Sequence, residues 1–200
     1  MAKRSFHRKD RFYLKAKKEG YAARSAYKIQ ELDDRFKMFK KSSRVVELGA
    51  APGGWFQVAQ ERMGPKGKLL AVDLLPLKVS PNHQNEFLQD DFTKESTQDW
   101  IRERCPQAVD WVISDMSPNI SGIKFRDEFA SYDLNRKAFV FACSVLKKGG
   151  GFLCKIFPGP EVEEFRKELK TKFKKMHSVV PEATRKSSTE FYLICLDYQD

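Results

Sequence analysis

Residues 45–55 read VVELGAAPGGW. An apolar run, RVVEL at 44–48, stops at Gly49, and an apolar helical pattern resumes near 54–62. This is a strand, a tight turn and a helix. Gly49, Gly53 and Gly54 let the backbone turn sharply and approach a ligand closely. The helix that follows begins with unpaired N–H groups at its positive dipole end, which suits an anionic group. That group is either a dinucleotide pyrophosphate or the carboxylate of a methionine moiety. The spacing is not GxGxxG, and Pro52 stiffens the turn.

Outward from this turn, strands and helices alternate. KLLAVDL (68–74), EFLQ (86–89), VDWVIS (109–114), GFLCKIF (151–157) and EFYLICLD (190–197) read as strands. Helical patterns lie between them near 54–62, 96–104, 132–147 and 161–174, and another precedes them at 24–39. Such alternation predicts an α/β fold, a mostly parallel sheet with helices on both faces. Strands near 176–180 and 190–197 are joined by a loop alone, so they are expected as an antiparallel pair at one edge. Ligands of such sheets bind beyond the carboxyl ends of the strands.

Acids stand at those ends. Asp73 in AVDLLP lies 20 residues beyond Gly53, where a carboxylate accepts ribose hydroxyls. Asp90 and Asp91 end the third strand, and a carboxylate there can take an adenine amino hydrogen. Asp115 in SDMSPN ends the fourth. These acids would repel a pyrophosphate, so a nucleoside cofactor without phosphates fits better, S-adenosylmethionine rather than NAD. A dehydrogenase would also need the missing dinucleotide fingerprint.

One strand raises a separate question. GGGFLCKIFPG (149–159) is built for burial, yet Lys155 sits in its middle. A lone buried ammonium is costly, so this lysine must be paired, deprotonated or aimed into a cleft.

The bulk composition bounds the partners. At 200 residues, 41 % hydrophobic and with 16 phenylalanines, the chain is expected to form one globular domain, 1–200. No apolar run is long enough to cross a membrane. The N-terminus has no apolar signal core, and Asp10 and Glu19 argue against a transit peptide, so a cytoplasmic protein is expected. Cys105, Cys143, Cys154 and Cys195 form no CxxC pair and read as reduced thiols, not as metal ligands or disulfides. The net charge is +10, and residues 1–40 hold 13 Lys or Arg against 5 Asp or Glu, which is +8 of it. Phe6, Phe12, Tyr13, Tyr21 and Tyr27 lie among those charges. Cations interleaved with rings point to nucleic acid, so residues 1–40 are expected as a basic RNA-binding extension and helix. A second basic cluster, Arg166–Lys175, reads as a solvated helix face.

Long stretches of the sequence resemble the FtsJ-type RNA 2′-O-methyltransferases, from about Arg24 to Tyr198. ELGAAPGGW, VDLLP and SDMSPNISG match that family's DLGAAPGGW, CDLLP and SDMAPNMSG. The resemblance implies a Rossmann-like methyltransferase fold with a seven-stranded sheet and an antiparallel edge strand. It implies a catalytic Lys-Asp-Lys-Glu tetrad: Lys28 in ARSAYKIQEL, Asp115 in SDMSPN, Lys155 in FLCKIFPG and Glu190 in KSSTEFYLI. It further implies S-adenosylmethionine as cofactor, contacted by Gly53, Trp55, Asp73, Asp91 and Asp115. The expected partner is RNA, foremost a uridine of the large-subunit ribosomal RNA, with no metal, no membrane and a monomeric enzyme. Two departures concern the site. Asp90 replaces a family glycine and would charge the adenine pocket, and Pro158 removes a backbone donor beside Lys155.

The tetrad suits the chemistry. A ribose hydroxyl is weakly acidic and needs a base, or a positive field, as it attacks a methyl group. Lys155 is expected at the hydroxyl as general base or electrostatic stabiliser, oriented by Asp115 and Glu190, with Lys28 positioning the ribose or a phosphate. A tRNA or mRNA-cap 2′-O-methyltransferase would share these residues. A non-catalytic RNA-binding assembly factor would predict a broken tetrad or cofactor loop.

Overall fold

A computed structural model describes residues 10–200. Residues 1–9, which include Phe6 and part of the expected basic extension, lie outside the described residues.

Seven strands form one sheet: β1 (Arg44–Leu48), β2 (Lys68–Asp73), β3 (Glu86–Gln89), β4 (Val109–Ser114), β5 (Leu146–Ile156), β6 (Phe173–Val179) and β7 (Phe191–Tyr198). Their order is β3-β2-β1-β4-β5-β7-β6. The first five are parallel, while β7 runs antiparallel to both β5 and β6. The strand that opposes the rest is thus β7, one place in from the edge, and β6 is the edge. Lys174 and Lys175 on β6 are exposed, which discourages pairing with another chain.

The helices are α1 (Arg11–Glu19), α2 (Ala26–Phe36), α3 (Gly54–Met63), α4 (Glu95–Arg104), α5 (Lys124–Val145) and α6 (Val162–Lys170). Strand side chains alternate between faces, so each strand feeds two cores. Val46, Leu48, Leu70 and Val72 pack with Ile101, Phe139 and Phe165 from α4, α5 and α6. Val45, Leu69 and Ala71 pack with Ile29, Trp55 and Phe56 from α2 and α3.

Several elements differ from the sequence reading; α2 is shorter than 24–39, and β5 begins at Leu146 rather than 151. α5 starts at Lys124 rather than near 132, because its first turns are polar or solvent-facing and show no core periodicity. The helix expected to reach 174 ends at Lys170, and the chain becomes β6 from Phe173. Arg166–Lys175 is therefore split between a helix and a strand. α1 was not expected as a helix. Asp10 caps it by accepting from the Tyr13 N–H at 3.0 Å, and Gly20 ends it at φ 80°. Its Ala16 and Phe12 pack on Tyr27 and Ala183, so residues 10–19 dock on the body as a short helix.

The register sets the site. Leu48 of β1 aligns with Val72 of β2 and Ser114 of β4, and Ser114 aligns with Cys154 of β5. One step beyond that row come Gly49, Asp73, Asp115 and Lys155. Because β7 runs the other way, it begins where the parallel strands end, and its Tyr192 pairs with Lys155.

Candidate active site

The four tetrad residues come from four places in the chain. Lys28 is on α2, Asp115 directly follows β4, Lys155 is the penultimate residue of β5, and Glu190 directly precedes β7. They meet at the carboxyl end of the sheet, with side-chain exposures of 12, 18, 11 and 13 %.

Their pairing differs in one respect from expectation. The Lys155 ammonium nitrogen lies 3.1 Å from Asp115 Oδ1 and donates to the Asp115 carbonyl at 2.6 Å. Glu190 pairs with Lys28, not with Lys155. The acids are thus shared out, one to each lysine. The reason is positional: α2 crosses the start of β7 and brings Lys28 to Glu190, while Asp115 and Lys155 leave neighbouring parallel strands side by side.

A fifth residue joins the two pairs. The Tyr192 hydroxyl donates to Asp115 Oδ1 at 2.9 Å and accepts from Lys28 Nζ at 3.3 Å. Tyr192 is fully buried, and burial, followed by the charges of Asp115 and Glu190, pushes its hydroxyl well above the ordinary tyrosine range. It therefore stays protonated and keeps its donor. The sequence reading missed it. The available signal was its spacing of two from Glu190, which puts both on one face of a strand.

Beside this cluster runs a cleft lined by Gly49, Asp73, Asp91, Phe92 and Met116. Gly49 has φ +81°, and a Cβ there would sit 2.7 Å from the Met116 backbone nitrogen. Glycine is required by both conformation and space. Asp73 accepts the Ala51 N–H through Oδ2 and the Leu75 N–H through Oδ1, each at 2.8 Å, so it pins both neighbouring loops. Asp91 accepts from the Thr93 N–H and hydroxyl at 2.8 Å. Each carboxylate still has unused lone pairs for a ligand.

Two other expected cofactor contacts are placed differently. Gly53, at φ 115°, turns its Cβ direction onto Val79, which a Cβ would meet at 2.5 Å. It shapes the turn, and Gly49 is the glycine on the cleft wall. The Trp55 ring is buried against Tyr192, with centroids 5.7 Å apart, and its Nε1 donates to the Ser25 carbonyl at 3.0 Å. Trp55 thus packs against Tyr192 from behind. Its backbone N–H, in the first turn of α3, has no intrahelical acceptor.

Asp90 also lines the cleft, and its charge there is paired. Lys94, the Asp91 N–H and the Thr97 hydroxyl hold its oxygens and bring its pKa down to about 2. Its charge faces the N-terminus of α4, where the helix dipole favours it.

On the other side of Lys28 and Glu190 lies a hollow lined by Arg24, Ser25, Arg185 and Ser188. Burial and the nearby Arg185 both lower the Arg24 pKa from its ordinary value. Asp10 pairs with Arg24 and lies 3.8 Å from Arg185. Two guanidiniums thus line the hollow, with Asp10 set against both.

Glu47, on β1 beneath the site, is fully buried, and neither carboxyl oxygen has a hydrogen-bond partner among the described residues. Burial, then Asp115 and Asp73, pushes it well above the usual carboxylate range. Cys154 and Cys195 are buried in the core, where desolvation raises their thiols.

Comparison with known proteins agrees with this geometry. A protein from Coxiella burnetii named ribosomal RNA large subunit methyltransferase E is 41 % identical over 197 residues, covering 96 % of this chain and 92 % of its own. A protein of the same name from Methanothrix thermoacetophila is 45 % identical over 186 residues, covering 93 % and 71 %. The crystal structure of a Plasmodium falciparum protein named as a ribosomal RNA methyltransferase superposes with a TM-score of 0.79 at 26 % identity, over 89 % of this chain and 98 % of that one. Human methyltransferase-like protein 13 shares the fold, with a TM-score of 0.60 at 11 % identity over 87 % of this chain and 83 % of that one. The model of the FtsJ-like methyltransferase family matches residues 21–198, and this chain belongs to that family.

Proposed function

We propose that this protein transfers a methyl group from S-adenosylmethionine to a ribose 2′-hydroxyl of RNA, with a uridine of the large-subunit ribosomal RNA as substrate. One observation carries the reading. Lys28, Glu190, Tyr192, Asp115 and Lys155 form one hydrogen-bonded chain, and Asp115 directly precedes Met116 and Ser117 on the wall of the cleft. The names of the relatives support the ribosomal substrate.

The cleft fits the cofactor. A glycine wall at Gly49 admits close approach, Asp73 accepts ribose hydroxyls, and Asp91 accepts an adenine amino hydrogen. Unpaired N–H groups in the first turn of α3 suit a carboxylate. When bound, S-adenosylmethionine supplies an electrophilic methyl group on a positively charged sulfur.

The residues of the chain do the rest. Two oxygens of Asp115 fix Lys155 Nζ, which reduces the reorganisation needed at the moment of reaction. Lys155 meets the 2′-oxygen and acts as general base for its proton or, as an ammonium, offsets the charge that develops there. Tyr192 holds Asp115 in place, and the Lys28–Glu190 pair positions the ribose. Arg24 and Arg185 take an adjacent phosphate. All these groups come from one chain, so the site is complete in a monomer, acting in the cytoplasm. No described helix is long and apolar enough to cross a membrane.

The test is incubation of labelled S-adenosylmethionine with large subunits, free ribosomal RNA and tRNA, followed by nucleoside mapping. The expected product is a 2′-O-methyluridine in ribosomal RNA, absent with Lys155→Ala. Label confined to tRNA would support the tRNA enzyme instead. Label on bases, or none, would refute the reading.

A further inference from the structure

The first two turns of α5 carry an apolar surface that the fold does not use. Ile120, Ile123, Phe125 and Phe129 are 59, 61, 64 and 50 % exposed, four large apolar side chains within ten residues. They stand at the rim of the site. The Ser131 hydroxyl accepts from the Phe157 N–H at 3.3 Å, and Asn135 Nδ2 donates to the Lys155 carbonyl at 2.7 Å. These bonds put Ser131 level with the end of β5. Residues 124–130 therefore overhang the carboxyl edge of the sheet, and the 116–123 loop joins them directly to Asp115.

The overhang is braced. Asp127 accepts the Ser121 and Gly122 N–H groups at 2.8 and 3.0 Å. The Phe129 ring lies 6.1 Å from Tyr132, which meets Phe165 of the core edge-on at 6.0 Å. Phe125 and Phe129 are spaced i, i+4, so they share one side of the helix, away from Ser131 and Asn135. Lys124 and Arg126 interleave with them. Asp127 and Glu128 follow them, with Glu128 3.7 Å from Lys124, so the segment is locally neutral, and its exposed rings at the rim of the site suit the faces of unpaired bases.

We propose that Phe125 and Phe129 form a stacking platform for unpaired bases flanking the methylated nucleotide, with Lys124 and Arg126 on the adjacent phosphates. This rests on the RNA reading above and makes the site select single-stranded over duplex RNA.

The test compares the parent with a Phe125→Ala/Phe129→Ala double variant and with Phe125→Trp. Binding of labelled oligouridylate and of a duplex RNA is measured by fluorescence anisotropy, and methyl transfer to ribosomal RNA by steady-state kinetics. The double variant should bind oligouridylate about tenfold or more weaker and raise KM for RNA similarly. Its kcat at saturating RNA and its affinity for S-adenosylmethionine should hold, which also certifies the fold. Phe125→Trp should bind like the parent, with its indole emission quenched by oligouridylate. Unchanged RNA affinity and KM in the double variant, beside an active parent, would overturn the platform alone. A parent that methylates no RNA would overturn the reading beneath it as well.

Discussion

Tyr192→Phe tests the network with the least disturbance to packing. The ring stays in place against Trp55, 5.7 Å away, and only the hydroxyl is lost. That hydroxyl makes a part-buried hydrogen bond to a carboxylate at 2.9 Å and a longer one to Lys28 at 3.3 Å. A hydrogen bond to a charged group contributes about 1.5–3 kcal/mol. Asp115 keeps its Lys155 partner at 3.1 Å and Lys28 keeps Glu190, so no charge is stranded. The stability loss should therefore fall near the lower figure, about 1–2 kcal/mol by urea titration. If Asp115 must hold Lys155 against the reacting oxygen, a similar energy is missing in the transition state. At about 1.4 kcal/mol per decade, kcat falls roughly 5- to 30-fold. KM for both substrates should stay within about twofold, because the hydroxyl touches neither the cleft nor the basic hollow. A kcat within twofold of the parent, alongside the expected stability loss, would refute the argument. The tyrosine would then be a core residue whose hydroxyl only satisfies its neighbours.

Lys155→Ala should lower kcat by about 10²–10⁴-fold in single-turnover methyl transfer without unfolding the chain. Lys155→Arg separates the two roles, because arginine keeps the charge but cannot accept a proton. A loss as deep as alanine's marks a base, and partial retention marks a stabiliser. Gly49→Ala forces a side chain into φ +81° and against the Met116 backbone. It should cost about 1–3 kcal/mol of stability and weaken S-adenosylmethionine binding by calorimetry. Glu47→Gln tests the buried acid. Its pKa, ordinarily near 4.5, is raised in the folded state, so the protonated form is the one that folding favours. The associated stability is full below the unfolded value and is lost as pH rises towards the folded one. Glutamine cannot ionise, so the urea midpoint of the variant should match the parent's at pH 4 and exceed it at pH 8. A gap that does not grow with pH would show that the carboxyl is not desolvated as described.

Much of the architecture is legible in the chain. Strands β1 and β4 lie where apolar runs and glycine turns place them, because strands buried on both faces are mostly apolar. The tetrad identities and the strand-end acids Asp73, Asp91 and Asp115 are readable from motifs. α1 and the first turns of α5 are not, because they bury little and show no core periodicity. Gly53 and Gly49 look alike as letters. Only the approach of Met116 shows which one lines the cleft.

The division of labour among the polar groups follows from strand order. Local sequence places strands near 176–180 and 190–197 and a lysine inside β5, since these are properties of short windows. It does not specify that β7 enters between β5 and β6, which rests on long-range pairing such as Lys155 with Tyr192. Were β6 beside β5, Glu190 would stand about 4.8 Å further off, one strand spacing away, and Tyr192 could not bridge Lys28 and Asp115. Which acid serves which lysine is therefore a consequence of how distant strands pair. That choice depends on packing across the whole sheet, and no motif records it.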